Sequence, residues 1–229
     1  ENFTKLFLSL AKDLRVIIIK FADRLNNMET IQYLTSNKRK EIALETKEIF
    51  VPLAHRLGMA KLKWELEDLS LKCLDLRAFN RIKKKIETST KLNEDILSNS
   101  IKPIKTELNS YKIKSDIFGR YKSISSIHRK IEKSGKKFEE IYDLYAIRII
   151  VDKIEECYLA LGVIHSIYPP LQDRFKDFIA TPKTNGYQSI HTTVLTNDNR
   201  LTEFQIRTKD MDYTAEIGVA AHWLSLIHI

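Results

Sequence analysis

The residues best suited to chemistry lie in one segment, residues 174–194, which reads RFKDFIATPKTNGYQSIHTTV. Gly186 lets the backbone turn sharply or approach a ligand closely, because glycine has no Cβ to clash at positive φ. Tyr187 presents a flat ring on which a base can stack. An ordinary turn before a strand explains Asn185 and Gly186. It leaves the positive charges unexplained, so the segment favours a nucleotide with several phosphates; these charges are Arg174, Lys176 and Lys183.

Acidic residues form a second candidate site on the strand predicted over residues 201–207. Glu203, Gln205 and Arg207 share one face there, because side chains alternate along a strand. A solvent-facing edge strand would give the same alternation. Asp143, at the mouth of another predicted strand, adds a second carboxylate. Carboxylates on adjacent strands can share Mg²⁺, which takes oxygen ligands and bridges substrate phosphates.

A third candidate is the basic segment GRYKSISSIHRK at residues 119–130. Arg120 and Lys122 stand at its N-terminal end. A helix that begins just after them places Ser126 and Lys130 near one face. A helix N-terminus beside such cations suits phosphate, because aligned amides and positive charge act together. The isoleucines of the segment also predict a face packed in the core, which is compatible with phosphate binding.

The elements that must position these residues are helical in the first half. Leu62, Leu66, Leu69 and Cys73 recur as one apolar helical stripe. Similar spacing continues to about residue 114, and Pro103 predicts a break or a kink on the way. Pro52 is expected to open the helix that carries His55, since proline is tolerated in a first helical turn. The second half mixes both kinds of element, with strands predicted at 145–151, 188–195 and 201–207 and helices at 157–168 and 215–224.

This order of elements predicts an α+β fold. We expect three parts: a helical region over residues 1–57, connecting helices over 58–114 and a mixed sheet with flanking helices over 115–229. The strand at 145–151 (YAIRIIV) is apolar on both faces except for Arg148, so it is predicted to be central.

The bulk composition narrows the partners. The 229 residues carry a formal net charge of +8, which favours polyanions such as nucleotides, nucleic acid or an acidic membrane surface. No apolar run approaches the length of about 18 residues that a membrane span needs. The first residues lack the features of a signal peptide. Two cysteines far apart indicate thiols in a reducing compartment, so we expect a cytoplasmic protein.

Five motifs of the second half resemble, in order, the RelA/SpoT-type alarmone synthetases. The resemblance implies a nucleotidyltransferase-like domain that transfers pyrophosphate from ATP to the 3′-hydroxyl of GDP or GTP. The products would be ppGpp or pppGpp, the alarmones of the stringent response, and the enzyme a GTP diphosphokinase. The motifs are GRYK (119–122), FEEIYDLYAIR (138–148), the segment 174–194, EFQIRT (203–208) and AEIGVAAHW (215–223).

The resemblance also implies roles for single residues. Asp143 would hold Mg²⁺, and Glu203 would assist the metal or take the proton from the 3′-hydroxyl. Tyr187 would stack on guanine. ATP and its phosphates would be bound by Arg120, Lys122, Ser126, Lys130, Arg148, Arg174 and Lys176, and the rest of the GDP or GTP by Lys183, Asn185, His191 and Gln205.

Two details bear on this comparison. The sequence RFKD at residues 174–177 is similar to the basic loop of bifunctional family members. By resemblance, this basic loop favours GTP as the acceptor. Tyr121 stands where the family usually has proline. We expect this change to loosen the loop without removing either flanking charge.

The first half resembles the end of the helical hydrolase domain of the same family, in KFADRLNNM (20–28), PLAHRLG (52–58) and WELEDL (64–69). By that resemblance Asp23 would be a Mn²⁺ ligand and Asn27 a nucleotide contact. The His and His-Asp ligands that complete such a site would lie upstream of residue 1, so these residues alone are expected to lack hydrolase activity. Taken without the resemblance, ADRLNN indicates a helix with an exposed polar face.

Other functions stay open at this point. The positive charge is compatible with an RNA-binding module, although the two acidic residues that these cations surround would repel a phosphate backbone without metal. A catalytically silent regulatory fragment is the other alternative. ATP and GDP or GTP are the expected partners, with no membrane and no ribosome contact through this part of the chain. The oligomeric state is not determined by the sequence.

Overall fold

The computed structural model describes residues 14–135, 138 and 145–220. Five helices lie in the described part of the first half, because its apolar residues recur at helical spacing. The stripe predicted from Leu62 to Cys73 lies on α4 and packs in a helical core. Pro52 stands in the first turn of α3, as predicted. The helices are α1 (Leu14–Glu29), α2 (Ser36–Glu45), α3 (Val51–Arg56), α4 (Ala60–Leu74) and α5 (Leu76–Ser110), with a 3₁₀ turn at Ile31–Tyr33 and a π turn at Thr46–Phe50.

A five-stranded mixed sheet forms the second half. Its spatial order is β1-β2-β5-β4-β3, with β2 and β5 parallel and the other neighbours antiparallel. This arrangement confirms the predicted α+β class and the central place of the YAIRIIV strand. The elements are β1 (Asp116–Tyr121), α6 (Ile124–Ser134), β2 (Tyr145–Val151), α7 (Ile154–Ile167), β3 (Lys176–Asp177), β4 (Ile190–Leu195), β5 (Leu201–Thr208) and α8 (Lys209–Ile217).

One face of the sheet is apolar and the other is polar, because side chains alternate along each strand. The apolar face packs against α7 and the C-terminal part of α5 in one continuous core. Ile147, Phe204 and Ile206 are fully buried there. The polar face is therefore the face left to carry a site.

The closing helix α8 joins the sheet to the helical half. The Val219 amide donates to the Leu57 carbonyl oxygen at 3.0 Å. Gly218 has φ +61°, and a Cβ on it would clash with the backbone of Leu57, Gly58 and Met59. Only glycine fits this contact, so the close approach of the two halves depends on it.

The structure corrects three details of the predicted elements. Tyr121, placed in a loop by the sequence analysis, ends strand β1, in which every residue pairs with β2. Helix α5 continues through Pro103 without a break, since Ile104 and Leu108 beyond it are fully buried in the core and their packing offsets the lost hydrogen bond. Helix α8 begins at Lys209, not at 215, because the Thr208 hydroxyl accepts from the Met211 amide and caps it.

None of the helices in the described residues combines the length and apolarity needed to cross a bilayer.

Candidate functional site

Strand pairing gathers the polar residues of the sheet into one row. His191 on β4 lies opposite Gln205 on β5, and Lys176 on β3 lies opposite His191. On the other side of β5, Arg148 of β2 lies opposite Gln205. Glu203 is two residues from Gln205 on the same face. The sequence-predicted strand residues therefore meet on one surface.

A first cavity, which we call the cationic cavity, opens at one end of this row and has a volume of about 350 Å³. Three cations contributed by different elements line it. The carboxylates of Glu203 and Asp173 and the ring of His191 line it as well. The cations are Lys130 from α6, Arg174 from the turn before β3, and Lys176 from β3.

A second cavity, the tyrosine cavity, opens on the other side of His191 and has a volume of about 220 Å³. Its sheet side carries the four acceptor-site residues predicted from the sequence besides His191. Its other side comes from the helical half, with His55, Lys63 and Trp64. The predicted set is Lys183, Asn185, Tyr187 and Gln205.

Tyr187 is fixed in place by its neighbours. Its hydroxyl lies 2.8 Å from Nε2 of His191, and its ring meets the rings of Phe178 and His191 edge to face. Nζ of Lys183 lies 5.2 Å from the centre of the tyrosine ring, within range of a cation–π contact. Burial raises the pKa of Tyr187, so the hydroxyl stays protonated at neutral pH. These contacts hold the ring in one orientation on the cavity wall.

The loop tip is anchored to the helical half. Nδ2 of Asn185 donates to the His55 carbonyl oxygen at 3.2 Å, and its Oδ1 accepts from the Tyr187 amide at 3.3 Å. Gly186 has φ +76°, as the turn predicted at Asn-Gly requires. The Asn185 side chain therefore ties the orientation of Tyr187 to the position of α3.

Glu203 lines the cationic cavity beside His191 and is strongly ionised. Burial opposes its charge, but hydrogen bonds from His191 and Gln205 and the charge of Lys122 outweigh it and hold the pKa at about 2. Nε2 of Gln205 lies 2.9 Å from Oε1 of Glu203, and Nδ1 of His191 lies 3.4 Å from the same oxygen. Nζ of Lys122 lies 3.7 Å from Oε2. A permanently charged carboxylate beside a cationic cavity can hold a divalent cation or orient a hydroxyl.

Behind the tyrosine cavity lies a buried cluster of arginines and carboxylates. Arg207 is 1% exposed and Arg148 is 5% exposed. Both guanidinium groups pair with Asp212, at 2.6 Å from Arg207 and 3.1 Å from Arg148, and both lie near Glu216. These ion pairs fix α8 against the sheet and leave Arg207 on the cavity wall.

The predicted ATP set is only partly gathered. Lys130, Arg174 and Lys176 share the cationic cavity, and Lys122 contacts Glu203. Arg120 instead lines the tyrosine cavity, stacked on the ring of Trp64 at 3.5 Å.

Two members of the ATP set have other contacts. Ser126 accepts from the Ser123 hydroxyl at 2.7 Å, and Arg148 is buried in the arginine cluster.

The helix N-terminus predicted as a phosphate site is already satisfied by protein groups. The carboxylate of Asp68 accepts from the amides of Ile124 and Ser125 at 3.2 and 2.8 Å. The Ser123 hydroxyl accepts from the Ser126 amide at 3.3 Å. Phosphate contacts in this region would therefore come from side chains.

The remaining predicted site residues are Asp143, Asp23 and Asn27. Asp143 lies outside the described residues. Asp23 and Asn27 are exposed on α1, joined by a hydrogen bond of 3.3 Å between Asn27 Nδ2 and Asp23 Oδ2. This agrees with the exposed polar face indicated by ADRLNN, and their hydrolase roles stay a prediction.

Sequence reasoning gave no site role to several residues that line the tyrosine cavity, among them Arg207, His55, Lys63 and Trp64. Arg207 could have been found, because it shares the alternating face of Glu203 and Gln205. The other three come from the distant helical half, and the sequence contains no signal that brings them to the sheet.

Comparison with known proteins identifies the family. The family described as a region found in RelA / SpoT proteins matches residues 119–225, and an HD-domain family matches residues 1–60. The guanosine-3′,5′-bis(diphosphate) 3′-pyrophosphohydrolase of Spiroplasma citri is 48% identical over 224 residues, which are 97% of this chain and 30% of that protein. The chain belongs to the RelA/SpoT family.

Other RelA/SpoT proteins give the same picture. The bifunctional (p)ppGpp synthase/hydrolase RelA of Mycobacterium tuberculosis is 44% identical over 223 residues, covering 97% of this chain and 30% of its own length. The chain thus spans about 30% of the length of these curated relatives. Among solved structures, small alarmone synthetase 2 of Bacillus subtilis is 30% identical with a TM-score of 0.45, over 63% of this chain and 77% of that one; the family assignment does not depend on it.

Proposed function

We propose that this RelA/SpoT chain transfers pyrophosphate from ATP to the 3′-hydroxyl of GDP or GTP. The observation that carries the proposal is that two cavities of different character share His191, with Glu203 next to it. His191 lines both cavities, and Glu203 lies beside it within ion-pair distance. A two-substrate transfer needs two neighbouring nucleotide sites with a polar junction between them.

The cationic cavity suits the triphosphate of ATP. Lys130, Arg174 and Lys176 supply three positive charges around a volume of about 350 Å³. A triphosphate concentrates negative charge on adjacent oxygens, and charge-assisted hydrogen bonds from lysine and arginine bind such oxygens strongly. This cavity would therefore hold the phosphate that is attacked.

The tyrosine cavity suits the acceptor nucleotide. Tyr187 offers a ring for guanine, and Asn185 and Gln205 offer amide groups for hydrogen bonds. Lys183 lies exposed at the mouth of the cavity. Partial burial of the side chain and the charges of Lys176 and Lys63 together lower its pKa, so an acceptor phosphate would relieve repulsion among these lysines. Base stacking with flanking cations is a common way to bind a nucleotide.

The reaction would take place at the junction. The 3′-oxygen of the acceptor attacks the β-phosphorus of ATP, the bond from that phosphorus to the α–β bridging oxygen breaks, and AMP leaves. The hydroxyl proton passes to Glu203 and then to water. A carboxylate of pKa about 2 is a weak base, but it suffices in a loose transition state, because the attacking hydroxyl loses its proton late.

The carboxylate of Glu203 offers the kind of oxygen ligand that Mg²⁺ prefers. Glu203 is ionised and faces the cationic cavity, and Asp143 would be the second ligand by motif. When bound, the ion would neutralise phosphate charge as the pyrophosphate group moves. The chain's own lysines and Arg174 would share that task.

The test is to incubate the chain with ATP, GDP and Mg²⁺ and to separate the nucleotides. We expect AMP and ppGpp in equal amounts, and neither when GDP is omitted. Hydrolysis of ATP to AMP without GDP would contradict the proposed acceptor site. Salt-sensitive binding of RNA without any alarmone product would favour an RNA-binding module instead.

A further inference from the structure

We infer that Asp68 is a positioning residue for the ATP half of the site, acting from helix α4 through helix α6 on Lys130. This inference rests on the proposed function, because it assigns ATP to the cationic cavity. The motif WELEDL, residues 64–69, drew attention as a family feature, yet none of the proposed chemical steps uses it. Its contacts show what it does in the fold.

The first contact is a long-range cap. Oδ1 of Asp68 accepts from the Ser125 amide at 2.8 Å, and Oδ2 accepts from the Ile124 amide at 3.2 Å. These are the first two amides of α6, which otherwise have no partner within the helix. A negative charge at that end also interacts favourably with the helix dipole. The carboxylate therefore fixes both the position and the direction of the N-terminus of α6.

The second contact fixes the same helix further along. Oε1 of Glu67 lies 2.6 Å from Nη2 of Arg129, the residue next to Lys130. Glu67 is 8% exposed, so this ion pair joins a buried carboxylate of α4 to the second turn of α6. Two successive acidic residues of α4 thus hold α6 at two points.

A third contact secures the strand that leads into α6. The guanidinium of Arg120 stacks on the Trp64 ring at 3.5 Å. Trp64 and Asp68 are four residues apart and lie on the same side of α4. Helix α4 therefore contacts this segment at Arg120, at the start of α6 and at Arg129. The next residue, Lys130, lines the cationic cavity.

A competing interpretation is that Asp68 occupies a phosphate position and inhibits binding. The geometry favours positioning. The residues that line the cationic cavity include Lys130 but not Ile124, Ser125 or Ser126, so a phosphate in that cavity lies away from the capped amides. The two interpretations predict opposite changes in the KM for ATP when the carboxylate is removed.

The experiment compares Asp68→Ala and Asp68→Asn with wild type in the synthesis assay. Loss of the cap should raise the KM for ATP about tenfold and leave the KM for GDP within about twofold. An asparagine side chain keeps one carbonyl oxygen as acceptor, so Asp68→Asn should lie between wild type and Asp68→Ala. A fall in the KM for ATP would show competition with phosphate and overturn the inference, as would an unchanged KM in both variants.

A matched control separates positioning from stability. Asp75 caps α5 by accepting from the Ala78 amide at 2.8 Å, a contact within one helix rather than across to α6. Asp75→Ala removes a cap of the same kind, so it should lower the melting temperature without changing the KM for ATP. An equal rise in that KM in both alanine variants would reduce Asp68 to a general stabilising residue.

Calorimetric titration with a non-hydrolysable ATP analogue distinguishes the two proposals. Binding by wild type that weakens in Asp68→Ala, without alarmone synthesis, would overturn the proposed function and keep the positioning role. Absence of binding by wild type would overturn both.

Discussion

The two cavities of the site differ in where their walls come from. The cationic cavity is built from α6, the turn before β3, and strands β3, β4 and β5, all within residues 130–203. The tyrosine cavity combines the sheet and the 183–187 turn with α3, α4 and α8, and its walls come from residues 55–216. One cavity is thus internal to the second half, and the other exists only where the two halves meet.

This difference assigns separate tasks to the two halves. The contacts that close the tyrosine cavity are few and specific: Asn185 to the His55 carbonyl, the Val219 amide to the Leu57 carbonyl, and the glycine fit at Gly218. A shift of the helical half would change acceptor binding first. Such a shift would change the cationic cavity only by moving α6.

The largest expected effect is at Glu203, beside the His191 that both cavities share. Glu203→Gln keeps the shape and removes the charge, so synthesis should fall by about 10²–10³ in kcat, measured as ppGpp formed under saturating substrates. The exposed Glu87, paired with Lys83 on α5, offers a control. Glu87→Gln should leave kcat unchanged. A wild-type rate in Glu203→Gln would contradict the role proposed for Glu203 where the two cavities meet.

Tyr187→Ala tests whether the tyrosine cavity alone binds the acceptor. Loss of a stacking ring costs about 1–3 kcal/mol, so the KM for GDP should rise about ten- to a hundredfold while the KM for ATP changes little. Tyr187→Phe keeps the ring and loses the hydrogen bond to His191, and it should retain most of the affinity. Equal changes in both KM values would mean that the cavities do not act separately.

Gly218→Ala tests the contact between the halves. The added Cβ would clash with the Leu57 backbone, so we expect the free energy of unfolding to fall by about 3 kcal/mol and the KM for GDP to rise about tenfold. Gly135 also has positive φ, +63°, but a Cβ there meets open space. Gly135→Ala should therefore destabilise less in thermal unfolding and leave the KM for GDP unchanged. The same KM for GDP in both variants would contradict the claim that the tyrosine cavity depends on the contact between the helical half and the sheet.

The smallest effect is expected from one cation of the cationic cavity. Lys176→Ala removes one of three positive charges, so the KM for ATP should rise about fivefold with little change for GDP. Lys102, exposed on α5, is the matched control, and Lys102→Ala should change neither KM. A larger effect of Lys176→Ala on GDP than on ATP would reverse the assignment of the two cavities.

Much of the site was predictable because its residues stand on regular elements. The alternation of Glu203, Gln205 and Arg207 fixes their common face on any strand, and the Asn-Gly turn fixes the start of the tyrosine segment. Strand β1 was missed because its residues pair only with β2 and carry no clear alternation of their own. The continuity of α5 through Pro103 was missed because packing of the core overrides a local preference.

The sequence by itself determined the chemistry of the site: which cations, carboxylate and ring are present, and which of them share a strand face. These properties follow from residue type and from local periods of two or 3.6 residues. Only the tertiary structure decided that His55, Lys63 and Trp64 complete the tyrosine cavity, that Arg148 is held by carboxylates of α8, and that Asp68 caps α6. These contacts join residues about 55 to 130 positions apart, and no local pattern specifies such pairs because they arise when the apolar faces of separate elements pack together.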